Sequence, residues 1–393
     1  MRVSLRLAGV DFRVAWITAC VVFGLSSANG FADMAESSLQ NATDSAATHL
    51  FLLNPAIVKP SGTKVSALAI RNTKKTTLKQ EADGGDNIES NTNDDYFVLG
   101  LGADLGAGAG LALSHQALYR KVDTNLASRG SQPNLVETHK VQHTAAKIFI
   151  ELTDQIRAGV AIRYMFSDSS ILGDPFIGQA ALTRYKTTLF GYGSGFAANY
   201  GDATFAYTYF PPLRGKSEIY GEEFIVVEPG EIAANAAYKF KSLWTLGVLA
   251  KRWINEIDDR AAGTTDASNQ TNISLMGLDP DQYLIPKQLM MIGGDFEFSK
   301  ALTFKVSVGQ EQAGFNFRDY VRYNRIDVRQ RGTQDENIKY NRARAVVRFI
   351  NNNIELNAGI GLFQRKFSFP ESMNSGEYES GGKELSASVG MKI

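Results

Sequence analysis

Four histidines, His49, His115, His139 and His143, are the residues from which metal or general-base chemistry would have to be built. His139 and His143 are four apart, and on an extended segment they share one face. At the usual rise they stand about 13 Å from each other, too far to hold one metal ion. A hydrolase also needs a nucleophile activated by a nearby histidine. No G-x-S-x-G elbow, CxxC pair or phosphate-binding glycine loop occurs in the chain. The expectation is a protein that is not an enzyme, with no cofactor implied.

Binding is better provided for than catalysis. Lys147, Arg157, Arg163, Lys305, Arg342, Arg344 and Arg348 recur on the polar face of alternating segments, together with Glu151 and Glu355. A guanidinium or ammonium in a partly dry interior binds a carboxylate well. Ion pairing among wall residues is the other use of the same set.

The segments carrying these residues are strands. From Gln155 to Ser167, Ile156, Ala158, Val160, Ile162, Tyr164 and Phe166 fall on one face, and Arg157, Gly159, Ala161, Arg163 and Met165 on the other. The two-residue period returns at 232–240, 244–250, 290–298, 302–308, 343–349, 354–362 and 385–393. Turn-forming dipeptides Thr153-Asp154, Gly201-Asp202, Lys241-Ser242, Ser299-Lys300 and Asn351-Asn352 join the strands in pairs, as does a bend at Leu105 to Ala107. Longer polar segments, near 72–95, 121–136, 168–182, 212–230, 254–285, 313–336 and 367–379, separate the hairpins. Six short turns alternating with seven long loops predict an all-β fold: a 14-stranded antiparallel transmembrane β-barrel with both termini on the short-turn side. Tyr200, Phe205, Tyr238, Phe240, Trp244, Phe296, Phe298 and Phe349 sit beside the short turns, where an interfacial girdle belongs.

Charge is balanced, with 41 basic and 41 acidic side chains, which gives no field for nucleic acid. Residues 1–32 have the form of a secretory signal peptide: Arg2, Arg6 and Arg13, then an apolar core from Val14 to Leu25, then Gly30-Phe31-Ala32. Ile17-Thr18-Ala19-Cys20 fits a lipoprotein box, but the apolar core continues past Cys20. The expected organisation is a leader over 1–32, an N-terminal hatch (plug) segment over 33–61 and the barrel over 62–393, in a bacterial outer membrane. Cys20, the single cysteine, then leaves with the leader.

Ahead of the first strand runs Asp44-Ser45-Ala46-Ala47-Thr48-His49-Leu50-Phe51-Leu52-Leu53-Asn54-Pro55-Ala56, followed by Ser61-Gly62-Thr63-Lys64-Val65-Ser66-Ala67. A small-residue stretch and a few hydrophobics leading into Asn-Pro-Ala resembles the FadL/TodX family of outer-membrane transporters for long-chain fatty acids and other hydrophobic molecules. The likeness covers residues 40–70 and the strand number. It implies a hatch plugging the barrel, an internal hydrophobic site and lateral exit through a kinked third strand. The hatch is shorter than usual in that family, and the chain ends in Ile393 instead of an aromatic. Physically, Pro55 fixes its own φ and holds Asn54 extended, a rigid corner between interior and wall.

Phe51, Leu53, Asn54 and Pro55 are thus candidate ligand contacts, with Arg157 and Arg163. The third and fourth outer loops add apolar Ile171, Leu172, Phe176 and Ile177, and Phe224, Ile225, Val226 and Val227; such patches meet greasy partners, and the resemblance makes them a capture groove. Gly106, Gly108, Gly110 and His115 are candidate gate residues. The glycines soften the wall, and His115 falls on the lipid face, so a bulge or bend is expected there. In the sixth loop Arg318, Arg322, Arg325 and Arg329 present a basic stripe suited to lipopolysaccharide phosphates. The function expected is passive transport of hydrophobic small molecules such as long-chain fatty acids, by a monomer in contact with outer-membrane lipid. A diffusion porin for polar solutes and a structural or adhesive barrel are the rivals.

Overall fold

A computed structural model describes residues 54–56, 63–80, 88–125, 135–172, 182–219, 222–228, 230–240, 244–254, 284–315, 338–369 and 376–392. The leader, most of the hatch and most of the outer connections lie outside these residues. Phe51, Leu53, Phe176, Ile177 and the arginine stripe of the sixth loop are among those outside.

The described chain is all strand: β1 (Lys64–Gln80), β2 (Ile88–Gly106), β3 (Ala109–Asn125), β4 (Leu135–Glu151), β5 (Ile156–Leu172), β6 (Leu182–Tyr200), β7 (Ala203–Phe210), β8 (Leu213–Ile219), β9 (Glu222–Glu228), β10 (Gly230–Phe240), β11 (Trp244–Ile254), β12 (Leu284–Ser299), β13 (Leu302–Phe315), β14 (Ile338–Asn351), β15 (Ile354–Phe369) and β16 (Gly376–Lys392). β6 pairs with β7 along Ser194–Tyr200 and with β8 along Tyr185–Phe190, so β7 and β8 are one wall strand interrupted at Pro211-Pro212. β9 and β10, facing β8 and β7, make the next. The wall is therefore a closed barrel of fourteen antiparallel strands, completed by the β1–β16 and β5–β6 ladders. Closure leaves no open edge in the membrane-spanning wall, which is what lipid demands of a sheet.

Alternation decides which face meets lipid. On β5, Val160 and Ile162 are more than half exposed (57% and 54%), while Arg157, Ala161, Arg163 and Met165 are buried toward the lumen. Val306, Val308, Ile360 and Leu385 repeat the outward pattern. Large apolar side chains exposed all round the outside, over a charged inside, are stable only in hydrocarbon. At the short-turn end the aromatics interlock, Tyr238 with Phe240 at 4.6 Å and Trp244 with Phe296 at 5.2 Å between ring centroids.

Two expectations change here. The strands run further outward than polarity suggests: β1 continues to Gln80 and β2 begins at Ile88, where a loop is expected from 72 to 95. Above the lipid both faces become polar, and the ladder persists through cross-strand pairs such as Arg71–Asp95 (3.2 Å) and Lys75–Glu89 (3.0 Å). Likewise Ile171 and Leu172 complete β5, and Phe224, Ile225, Val226 and Val227 lie in β9, paired with β8. These apolar runs extend the wall; they are not loop.

Second, Gly106, the last residue of β2, and Gly108 stand at the turn and not within the span of the wall. With Ala107 they form the inner β2–β3 turn at φ 75°, 52° and 74°, the left-handed region glycine tolerates best. Gly110 does face inward, and a Cβ there would meet the Phe149 ring at 2.2 Å. β3 carries no bulge near His115. β3 pairs with β4 without a register shift from Ala109 to Thr124, and with β2 from Gly110 onward.

Candidate lumenal site and plug anchor

The lumen carries a fixed segment, Asn54-Pro55-Ala56, against β5, β6 and β7. Asn54 is fully buried, and its side-chain amide donates to the carbonyls of Phe196 and Tyr207, both at 2.9 Å. Those two residues oppose each other across β6 and β7, so one side chain bridges two strands. Its Oδ1 accepts from the Ala56 amide at 2.8 Å, closing a local turn. Both N–H donors and the oxygen of the Asn54 side-chain amide are thereby engaged.

The wall makes room by omitting side chains. A Cβ on Gly159 would lie 2.7 Å from the Pro55 carbonyl carbon, and one on Gly195 would lie 1.9 Å from Asn54 Oδ1. Two further inward glycines serve bulky neighbours on the interrupted strand: Gly193 receives Phe210 and Gly191 receives Leu213. Gly106, Gly108 and Gly110, the glycines expected to soften the wall, do not touch the plug segment. The glycines against the plug are Gly159 and Gly195, and the signal for them is Gly191-Tyr192-Gly193-Ser194-Gly195, small inward residues alternating with outward ones.

An apolar patch lies beside the anchor: Ala56 packs with Ile70, Val98, Ala112, Leu118, Phe149, Ala197 and Ala206, with Lys147 and Arg157 buried on the adjoining strands. Met165, Leu189 and Leu213 form a patch further out, and Ala233, Leu249, Trp253, Leu289 and Met291 another across β10–β12. Arg163 stands at the border of the second patch, its guanidinium 4.4 Å from the Phe210 ring centroid and donating to the Pro211 carbonyl at 3.1 Å. It thus braces the strand interruption. Arg157 is buried on the same face of β5, nearer the inner end.

The opposite wall is charged and internally compensated. Arg344 meets Glu384 at 3.0 Å, Arg348 meets Glu355 at 3.1 Å, Lys251 meets Glu231 at 3.2 Å, and Arg342 pairs with Glu311. Lys305 approaches Asp295 at 3.9 Å. Arg342 and Arg365 also lie over the Tyr340 ring, at 4.8 and 4.3 Å. Wall ion pairing therefore accounts for Lys305, Arg342, Arg344 and Arg348; Arg163 is set against apolar lining, and Lys147 is buried between Ala112 and Ala161 of the neighbouring strands.

The histidines are apart. His139 is held by Ser169 (3.0 Å) and Glu137 (3.4 Å), and His115 bonds Thr144 on the outer face (3.0 Å). Among the described residues no group of three or more His, Cys, Asp or Glu is placed to hold a metal ion.

A closed barrel with an apolar exterior, a mixed lumen and a docked N-terminal segment defines an integral bacterial outer-membrane protein. Its fold is that of the FadL-type transporters. Over 86% of this chain and 93% of the other it superposes on a Pseudomonas aeruginosa FadL homologue, with a TM-score of 0.58 and 10% identity. The Pseudomonas putida toluene transporter TodX matches over 88% and 94%, at TM-score 0.57 and 11% identity. The Ralstonia pickettii toluene transporter TbuX matches over 89% and 94%, at 0.50 and 10%. No protein-family model and no curated protein matches the sequence.

Proposed function

We propose that the protein is a passive transporter carrying hydrophobic small molecules, including long-chain fatty acids, across the outer membrane. The observation that carries this reading is the apolar lumen lining that closes on Asn54-Pro55-Ala56. A diffusion pore for polar solutes has no use for contiguous Ile, Val, Leu and Phe on its inner wall, where water wets them poorly. Two of the superposed proteins are toluene transporters, which supports the hydrophobic cargo.

Cargo enters at the outer rim and passes along Met165, Leu189 and Leu213. It then reaches the apolar patch beside the anchor, each transfer exchanging one greasy surface for the next. Arg163, beside Phe210, is placed to orient a carboxylate head while the tail lies on the apolar lining. Phe51 and Leu53, just ahead of the anchor, are the residues proposed to contact cargo as it passes the plug. The gate in this reading is the segment and its seat on β5–β7.

Proteoliposomes test the reading. Loaded with the folded protein, they should accumulate labelled laurate and toluene faster than empty vesicles while ion conductance stays low. High steady conductance with no hydrophobic uptake would establish a porin instead.

A further inference from the structure

We propose that the inner face of β3 holds a subsite for the hydroxyl group of an otherwise hydrophobic cargo, formed by Ser114 and Gln116. The inference rests on the transport reading above and names a class of cargo within it. The two residues are successive inward positions of β3, between Ala112 and Leu118. Ser114 is 7% exposed and Gln116 3%. Among the described residues neither Ser114 Oγ nor Gln116 Oε1 has a hydrogen-bond partner. Ser66 of β1 repeats the condition: it is fully buried, its Oγ has no partner, and only Gly100 of β2 lies between it and Ser114 in the sheet.

Elsewhere on the inner wall, buried polar side chains bond across the strands. Thr76 meets Ser380 at 3.0 Å, Ser90 meets Thr124 at 2.8 Å, and Arg120 donates to Asp94 at 2.7 Å. Ser114 is denied this, because its neighbours across the sheet are Gly100 and Ala145. Gln116 stands opposite Val98 and His143, and its Oε1 bonds neither. Ile70, Val98, Ala112, Leu118 and Phe149 form one apolar cluster around the pair. Polar atoms buried against such a surface destabilise the fold unless something bonds them, and an apolar lining holds water poorly. Their use is therefore to a visitor that brings its own polar group.

A hydroxyl answers both residues. It donates its proton to Gln116 Oε1 and accepts one from the Ser114 hydroxyl, and being neutral it needs no counter-charge. It suits the Gln116 amide in either orientation, since it gives and takes. A carboxylate only accepts, and would set lone pair against lone pair at Oε1. Ser114 lies five residues beyond the inner start of β3 at Ala109. At the usual rise and a strand tilt near 40°, that is about 13 Å into an apolar band about 25 Å tall. A ring or chain attached to the bound hydroxyl then rests on Val98 and Leu118. Arg163 is opposite Ala145, two strands from Ser114 and so about 10 Å away. The carboxylate position and the hydroxyl subsite are separate stations on one wall.

Toluene and p-cresol differ by one hydroxyl, so equilibrium dialysis of each against the folded protein in detergent, referred to detergent alone, tests the subsite. p-Cresol is expected to bind about tenfold more tightly than toluene, the effect of one well-made set of hydrogen bonds. Ser114→Ala and Gln116→Leu, singly and together, should bring that ratio down toward unity. The urea midpoint should hold or rise in the same variants, because each removes a buried polar atom that the fold leaves unbonded. Toluene binding without a preference for p-cresol, or a preference that survives the double variant, overturns the subsite while the transporter reading stands; water alone then meets these oxygens. Binding of neither compound overturns both. A lowered midpoint assigns the two side chains to the fold and likewise overturns the proposal. Should the double variant fail to fold, the ratio in the unaltered protein and in the single variants still decides.

Discussion

Gly195 and Asn54 share a space that holds only one side chain: a Cβ on the glycine would sit 1.9 Å from the asparagine Oδ1. The fit makes the wall, as much as the plug, responsible for where the N-terminal segment rests. Gly195→Ala should unseat Asn54 while leaving the β6 ladder intact. Single-channel conductance is expected to rise, with the unfolding temperature shifted by only a few degrees. Gly381→Ala, whose nearest neighbour is 3.5 Å away, should leave both unchanged.

Asn54→Asp preserves shape but replaces the two N–H donors with an oxygen facing the Phe196 and Tyr207 carbonyls. Unsatisfied buried acceptors cost about 1–3 kcal/mol each. The expected outcome is faster proteolysis of the segment ahead of Pro55. A protonated aspartic acid regains one donor, so cleavage should be slower near pH 4 than near pH 7. Equal rates at both would show that the two donated bonds do not hold the segment.

Arg163→Met keeps bulk but removes the contact over Phe210 and the bond to the Pro211 carbonyl. A cation–ring contact of this kind is worth about 0.5–2 kcal/mol. Urea unfolding should shift accordingly. If the arginine orients carboxylates, laurate uptake falls several-fold while toluene uptake is preserved. A parallel loss of both would make the role one of bracing alone.

Arg344→Ala takes from Glu384, 1% exposed, the guanidinium 3.0 Å away and leaves Arg342 as a remaining counter-charge on the lumen wall. Breaking a buried pair from one side costs about 3–5 kcal/mol, whereas removing both members costs much less. The Arg344→Ala, Glu384→Ala double variant should therefore be more stable in urea than the single. Additive losses would mean that the two residues do not act as a pair.

The parts legible in the sequence were those whose cause is local. The alternation from Gln155 to Ser167 reads directly, because lipid and lumen sort successive side chains. Asn54-Pro55 stands out because proline constrains the chain and asparagine seeks partners. What escaped depends on distant chain. Gly159 and Gly195 owe their small size to a plug more than 100 residues earlier, and nothing beside them announces it. Ile171, Leu172 and Phe224 to Val227 read as loop because polar residues flank them. The ladder that makes them strand is supplied by neighbours such as Glu137 and Lys216. His115 read as a defect in the wall because its partner, Thr144, sits on another strand.

The interruption at Pro211-Pro212 sets three residues of β6, Gly191 to Gly193, against four, Phe210 to Leu213. Inward positions are consequently even-numbered up to Phe210, and the next inward side chain is the odd-numbered Leu213. A water-soluble thiol reagent walked along this stretch would record a change of parity at the two prolines. An engineer lengthening or shortening the chain here by one residue would turn Leu213 from the lumen to the outside.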